Sequence, residues 1–113
     1  MQSSIRGFNL EYGEDAPTFE QVSELNGDAL LEFGAPWCGH CRAAFPAVRE
    51  VLGEHPDLLH IKVYDGKGEP LGRAFAVRRW PTLILLRDGQ EVGRLVRPTQ
   101  ADEVRRLLGS LAA

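Results

Sequence analysis

Apolar residues in this chain recur at two spacings, every second residue or every third and fourth, and the two patterns alternate along its length. Residues 5–10 read as a first strand. Residues 18–25 read as a helix, with Phe19, Val22 and Leu25 on one face. The stretch "ALLEF" (residues 29–33) is a buried strand interrupted by one acid, Glu32. The chain then turns through residues 34–36 and enters a helix whose Ala44, Phe45, Val48, Val51 and Leu52 follow helical spacing. Pro46 predicts a kink in that helix, because proline lacks an N–H and crowds the preceding turn. "LLHIKVY" (residues 58–64) alternates as a strand should, and "DGKGE" is a polar turn leading to a short helix at residues 70–75. "TLILL" (residues 82–86) is apolar without alternation, the mark of a central strand covered on both faces. Asp88-Gly89 predicts a hairpin turn into "EVGRLV". A last helix should follow Thr99 as N-cap, burying Val104, Leu107, Leu108 and Leu111.

Strands and helices in this order, closing on a hairpin and a helix, predict an α/β fold with a mixed central sheet flanked by helices on both faces. Its βαβ crossovers should be right-handed. A chain of 113 residues fits one domain over 1–113, with residues 1–16 irregular or forming the first strand. Hydrophobic content of 43% and charged content of 26% are ordinary for a globular domain, and no repeat or low-complexity run appears. A net charge of −3 disfavours nucleic acid and anionic membranes as partners. The pairs Arg78-Arg79 and Arg105-Arg106 do not amount to a basic patch. The first residues lack a basic segment followed by an apolar one, and no run reaches the roughly 18 apolar residues of a membrane span. The expectation is a monomer in the cytoplasm, or in the periplasm if a signal has been trimmed away. "SLAA" at the end is no endoplasmic-reticulum retention signal.

The chemistry concentrates in "EFGAPWCGHCRAAFP", which holds the chain's two cysteines, Cys38 and Cys41. Structural zinc wants four ligands, and only His40, His55 and His60 could complete a set; His55 and His60 belong to the helix end and the next strand. Haem attachment needs His directly after the second Cys, where Arg42 stands. A disulfide between the two would close too short a loop to stabilise the fold much. Redox chemistry suits a strand-to-helix junction best, because the N–H groups and dipole at a helix start stabilise a thiolate at Cys38. Metal and inert readings stay open beside it.

"LLEFGAPWCGHCRAAFP" resembles the active-site segment of the thioredoxin family, and its Cys-Gly-His-Cys run is most similar to the catalytic domains of protein disulfide isomerase. The likeness runs from about Ala29 to the last helix, through "FAVRRWPT" and the "RDGQEVGRL" hairpin; the first 25 residues match loosely. The resemblance implies a thioredoxin fold and a thiol–disulfide oxidoreductase acting on protein disulfides and dithiols, with no cofactor beyond a redox-active Cys38–Cys41 disulfide and possible recycling by a thioredoxin reductase. Cys38 would attack and Cys41 would resolve the mixed disulfide. Between them, His40 would stabilise the Cys38 thiolate and make the couple more oxidising than in thioredoxins, which carry Pro there; disulfide isomerase lies about 90 mV above thioredoxin. Glu32, its pKa raised by burial, would take the Cys41 proton through a water, and Lys62 matches the family's buried lysine paired with that acid. Pro81 matches the family's cis-proline, and Trp37, Gly39, Trp80 and Thr82 complete the implied substrate-binding surface.

Structural readings stand beside these: a solvated His40, a plain ion pair of Glu32 and Lys62, and a core role for one tryptophan. Trp80 is bulkier than the residue usual before the proline, and "VRPTQ" replaces a Gly-containing loop of the family. Arg79 and Arg97 could therefore bring positive charge to the thiols or remain simply solvated. A non-enzymatic binding module or chaperone surface is the alternative function.

Overall fold

A computed structural model describes residues 4–112; Met1–Ser3 and Ala113, part of the expected single domain, lie outside the described residues. In chain order the elements are β1 (Ser4–Arg6), α1 (Phe19–Ser23), β2 (Asp28–Gly34), α2 (Gly39–Leu52), β3 (Leu59–Tyr64), α3 (Pro70–Ala74), β4 (Thr82–Arg87), β5 (Gln90–Val96) and α4 (Ala101–Leu108), with a 3-10 turn at Gly109–Ala112. The strands lie side by side as β1-β3-β2-β4-β5. Only β2 and β3 run parallel, joined through α2. β1 against β3, β2 against β4 and β4 against β5 are antiparallel. This is the mixed sheet with flanking helices that the sequence predicts.

Alternation sorts the central strands into two cores. Ala29, Leu31 and Phe33 of β2, Ile61 and Val63 of β3, and Ile84 and Leu86 of β4 pack with Val22, Leu71 and Phe75 on the side of α1 and α3. Leu30, Leu83 and Leu85 pack on the other side with Ala44, Val48, Val51 and Leu52 of α2 and Val104, Leu107 and Leu108 of α4. Each fully buried Leu, Val or Phe stabilises the fold by about 1.5–3 kcal/mol relative to exposure. The register sets Glu32 beside Lys62 and Leu30 beside His60, so Glu32, His60 and Lys62 all lie on the α2 side. That side therefore turns polar where the sheet approaches the start of α2.

Several boundaries differ from the sequence reading. β1 ends at Arg6 rather than residue 10, because the chain reverses. After pairing antiparallel with residues 59–61, it returns beside the same strand until Gly13 bridges Val63 in parallel. Gly13 donates to the Lys62 carbonyl and accepts from the Tyr64 N–H, at 2.8 and 2.9 Å. α1 is shorter than expected: Thr18 is its N-cap, in a capping box with Gln21, and Leu25 lies beyond its end. α2 continues through Pro46, which leaves the Arg42 carbonyl without its helical donor. α4 is capped at Gln100 and not at Thr99, because Glu103 reaches back and accepts both the Thr99 and Gln100 N–H groups at 3.1 Å.

Candidate active site

The two cysteines sit where β2 hands over to α2. Cys38 is the N-cap of α2, with extended backbone (φ −77°, ψ 123°), and its Sγ accepts the Cys41 N–H at 3.3 Å. Sulfur thus takes the place a capping oxygen usually holds, satisfying one of the helix's otherwise unpaired first-turn donors. Both thiols are free and largely covered, Cys38 at 8% and Cys41 at 5% exposure, packed with Ala35, Tyr12 and Trp80. The helix start is at the surface, with Gly39 and His40 exposed, but the packing leaves only a small part of Cys38 open. Burial and the Cys38 side chain push the Cys41 thiol up to about 12, against the opposing Ala35 and Tyr12 hydrogen bonds. Cys41 is therefore a thiol near neutral pH.

Glu32 lies beneath them, 3% exposed. Its Oε1 is 2.9 Å from His60 Nε2, and the Tyr12 hydroxyl donates to Oε2 at 2.5 Å. The His60 tautomer follows from its other nitrogen, since Nδ1 accepts the Asn9 backbone N–H at 2.9 Å. Nε2 must then carry the hydrogen, and a neutral imidazole donates to the carboxylate. Asn9 is itself clipped to β3 by an Nδ2–H donated to the His60 carbonyl at 3.1 Å. Burial pushes the Glu32 carboxyl up, but the His60 hydrogen bond, the Lys62 charge and the Tyr12 hydroxyl outweigh it and hold the group below its ordinary value. The raised pKa expected from burial alone is corrected accordingly.

Lys62 does not form the expected ion pair with Glu32. Although the two share a register position, Nζ turns aside to donate to the Leu10 carbonyl at 3.0 Å and lies 4.3 Å from the centre of the Tyr12 ring. The Phe8 and Phe45 rings are each 5.4 Å from it. An aromatic face and a carbonyl thus take the cation in place of the carboxylate. Burial lowers the Lys62 pKa in spite of the Glu32, Cys41 and Glu11 charges.

Gly34 makes this convergence possible. A Cβ there would stand 2.6 Å from both the Cys41 Sγ and the Tyr12 oxygen, so only a residue without a side chain lets the two meet above β2.

On the other side of the dithiol, Trp37 is 62% exposed and its ring meets Trp80 edge-on, centroids 5.5 Å apart. Trp37 Nε1–H donates to the Tyr64 hydroxyl at 3.2 Å, and Trp80 Nε1–H donates to Asp65 Oδ2 at 2.9 Å. The Trp37 ring is exposed, whereas Trp80 is half-buried against the cysteines. The Trp80–Pro81 peptide bond is cis. Arg97, at a left-handed φ of 54°, donates from Nε to the Trp80 carbonyl at 2.8 Å and from its backbone to the Pro81 carbonyl at 3.0 Å. Arg79 is exposed and lends only its carbonyl, which accepts the Thr82 hydroxyl at 2.6 Å. The Thr82 side chain is 1% exposed and braces the loop from within, which corrects its placing on the substrate surface. Gly39 and His40 are exposed at the first turn of α2.

The structure therefore joins Cys38, Cys41, Glu32, Trp37, Trp80 and Pro81 in one place and adds Tyr12, His60, Asn9 and Gly34. Among the described residues no cluster of three or more His, Cys, Asp or Glu could hold a metal, and no helix is long and apolar enough to cross a membrane.

Comparison with known proteins agrees with this geometry. The thioredoxin family model matches residues 13–110. Thioredoxin 1 of Synechococcus elongatus is 34% identical over 73% of this chain and 78% of its own length. The bifunctional thioredoxin reductase/thioredoxin of Mycobacterium leprae is 36% identical over 73% of this chain, which corresponds to 18% of that longer protein. Among solved structures, reduced thioredoxin 2 from Pseudomonas aeruginosa superposes with a TM-score of 0.83 at 45% identity, covering 92% of this chain and 96% of that one.

Proposed function

This chain belongs to the thioredoxin family of thiol–disulfide oxidoreductases, and from that premise we propose that it exchanges dithiol for disulfide in protein substrates through the Cys38–Cys41 pair. The observation that carries this reading is the Cys38 sulfur capping α2, with a second thiol one helical turn on. The Cys41 N–H donates to that sulfur at the start of α2, and the thiolate is the form of such a thiol that attacks a disulfide. The attack gives a Cys38–substrate mixed disulfide and releases one substrate thiol. Cys41 then displaces the second substrate sulfur and closes the protein disulfide, so two electrons pass to the substrate.

Trp37 and Trp80 offer an apolar rim, and the backbone beside Pro81 can pair with an extended peptide. Such a surface reads shape and apolarity more than sequence, which suits varied protein substrates. His40, between the cysteines as in protein disulfide isomerase, supports a more oxidising couple than thioredoxin's. The Mycobacterium leprae relative joins a thioredoxin reductase to a thioredoxin in one chain, which supports such a reductase as electron donor here.

Reduction of insulin disulfides by dithiothreitol tests the reading. The protein should accelerate precipitation of the insulin B chain, Cys38→Ser should abolish the effect, and Cys41→Ser should accumulate a mixed disulfide. Wild-type protein no faster than dithiothreitol alone would overturn it.

A further inference from the structure

The resolving step leaves a problem of proton transfer. Cys41 is a covered thiol held protonated near neutral pH, yet it must attack as a thiolate. The Glu32 carboxylate, reached through Tyr12, is already engaged by His60 on Oε1 and by Tyr12 on Oε2. The Tyr12 hydroxyl is thus hydrogen-bonded to the base while packed against Cys41, over the bare Cα of Gly34.

We propose that the Tyr12 hydroxyl carries the Cys41 proton to Glu32 as Cys41 resolves the mixed disulfide. This rests on the dithiol chemistry proposed above. Tyr12 passes its own proton to Glu32 Oε2 while its oxygen takes the proton from the Cys41 thiol. The freed electron pair on Cys41 forms the Cys41–Cys38 bond, the Cys38–substrate bond breaks, and the substrate sulfur leaves with that bond's pair and is protonated from solvent. The protein dithiol loses two electrons and the substrate gains them. Tyr12 ends neutral and Glu32 ends protonated.

The two transfers are concerted, because burial and the Glu32 charge hold the phenol well above its ordinary pKa and a free phenolate is disfavoured. His60 is a positioning residue: fixed as the Nε2–H tautomer by Asn9, it occupies Oε1 and leaves Oε2 to Tyr12. Lys62 sits over the Tyr12 ring and offers Glu32 a nearby positive charge. A cleft of about 420 Å³ bordered by Leu10, Tyr12, Pro36, Cys41, Arg42 and Lys62 opens beside Tyr12 and Cys41. The charged or titratable groups facing the path are Glu32 from β2, His60 and Lys62 from β3, Cys38 and Arg42 from α2, and Glu11 from the segment that carries Tyr12.

Reaction with 5,5′-dithiobis(2-nitrobenzoate) separates the two attacks. Cys38 releases one coloured thiolate on forming the mixed disulfide, and Cys41 releases a second on resolving it. In Tyr12→Phe the second phase should slow relative to the first on the order of 10²-fold and should rise steeply with pH. In wild type it should be nearly flat around neutral pH. Glu32→Gln should give a similar loss, and the double variant should lose little more, as expected for two members of one path. Gly34→Ala, whose Cβ would part the Tyr12 hydroxyl from the Cys41 sulfur while leaving both side chains present, should reproduce the effect and covers the case that Tyr12→Phe folds poorly. An unchanged second phase in these variants, equal slowing of both phases, or additive losses would each overturn the proposal. Release of a single thiolate by wild type, with no second phase, overturns the dithiol reading itself.

Discussion

Glu32 illustrates how a buried acid is made tolerable. A lone carboxylate in an apolar core would be neutralised by protonation, but here two neutral donors and a nearby cation keep it ionised. Its pKa is lowered in the fold, so the ionised form stabilises the native state above the ordinary value of 4.5, and that contribution is lost as pH falls through the lower folded value. Urea unfolding of wild type should therefore show stability declining as pH drops past 4.5, and Glu32→Gln should show a shallower decline; parallel profiles would contradict this. The acid itself is legible in the sequence because it breaks an apolar strand. Its partners are less so. His60 and Lys62 alternate onto one face of "LLHIKVY", but only the family resemblance sets Lys62 beside Glu32, and nothing in the spacing says that the histidine, and not the lysine, makes the bond. Tyr12 and Asn9 carry no periodic pattern, and both precede Gly13, where the family match begins.

The elements were readable where one local motif decides them. Asp88-Gly89 is such a case: both residues have positive φ, 51° and 78°, as a two-residue hairpin turn demands. Gly89 is constrained twice, since a Cβ would also stand 2.3 Å from the carbonyl oxygen of Ser23, the last residue of α1. The turn is further moored by Asp88, whose N–H donates to the Gly27 carbonyl and whose carboxylate accepts the Gly27 N–H. Gly89→Ala should destabilise the fold by about 1–3 kcal/mol, measured as a lower urea midpoint with unchanged slope, while insulin reduction per folded molecule stays as in wild type. Elements settled by distant partners were not readable. Glu103 decides the cap of α4, and the return of residues 7–13 beside β3 depends on contacts with a strand some 50 positions away in the chain.

At the scale of the molecule, a parallel β2–β3 pair presents a sulfur-capped helix to solvent at one end, with an aromatic rim on one side and a polar cluster on the other. Which way electrons flow depends on the balance between reduced and oxidised forms, and the exposed His40 is the feature that bears on it most directly. Equilibration with glutathione should place the Cys38/Cys41 couple above thioredoxin's value of about −270 mV and toward disulfide isomerase's at about −180 mV. His40→Pro should move it back down, and a wild-type value at or below about −270 mV would remove the case for oxidation or isomerisation. The rim has a consequence of a different kind. Trp37 and Trp80 are the chain's two tryptophans, and both stand at the dithiol. Indole emission from this protein is therefore an optical signal of the active site alone: it will register changes around the dithiol while remaining blind to fraying at α4, where the molecule carries no indole.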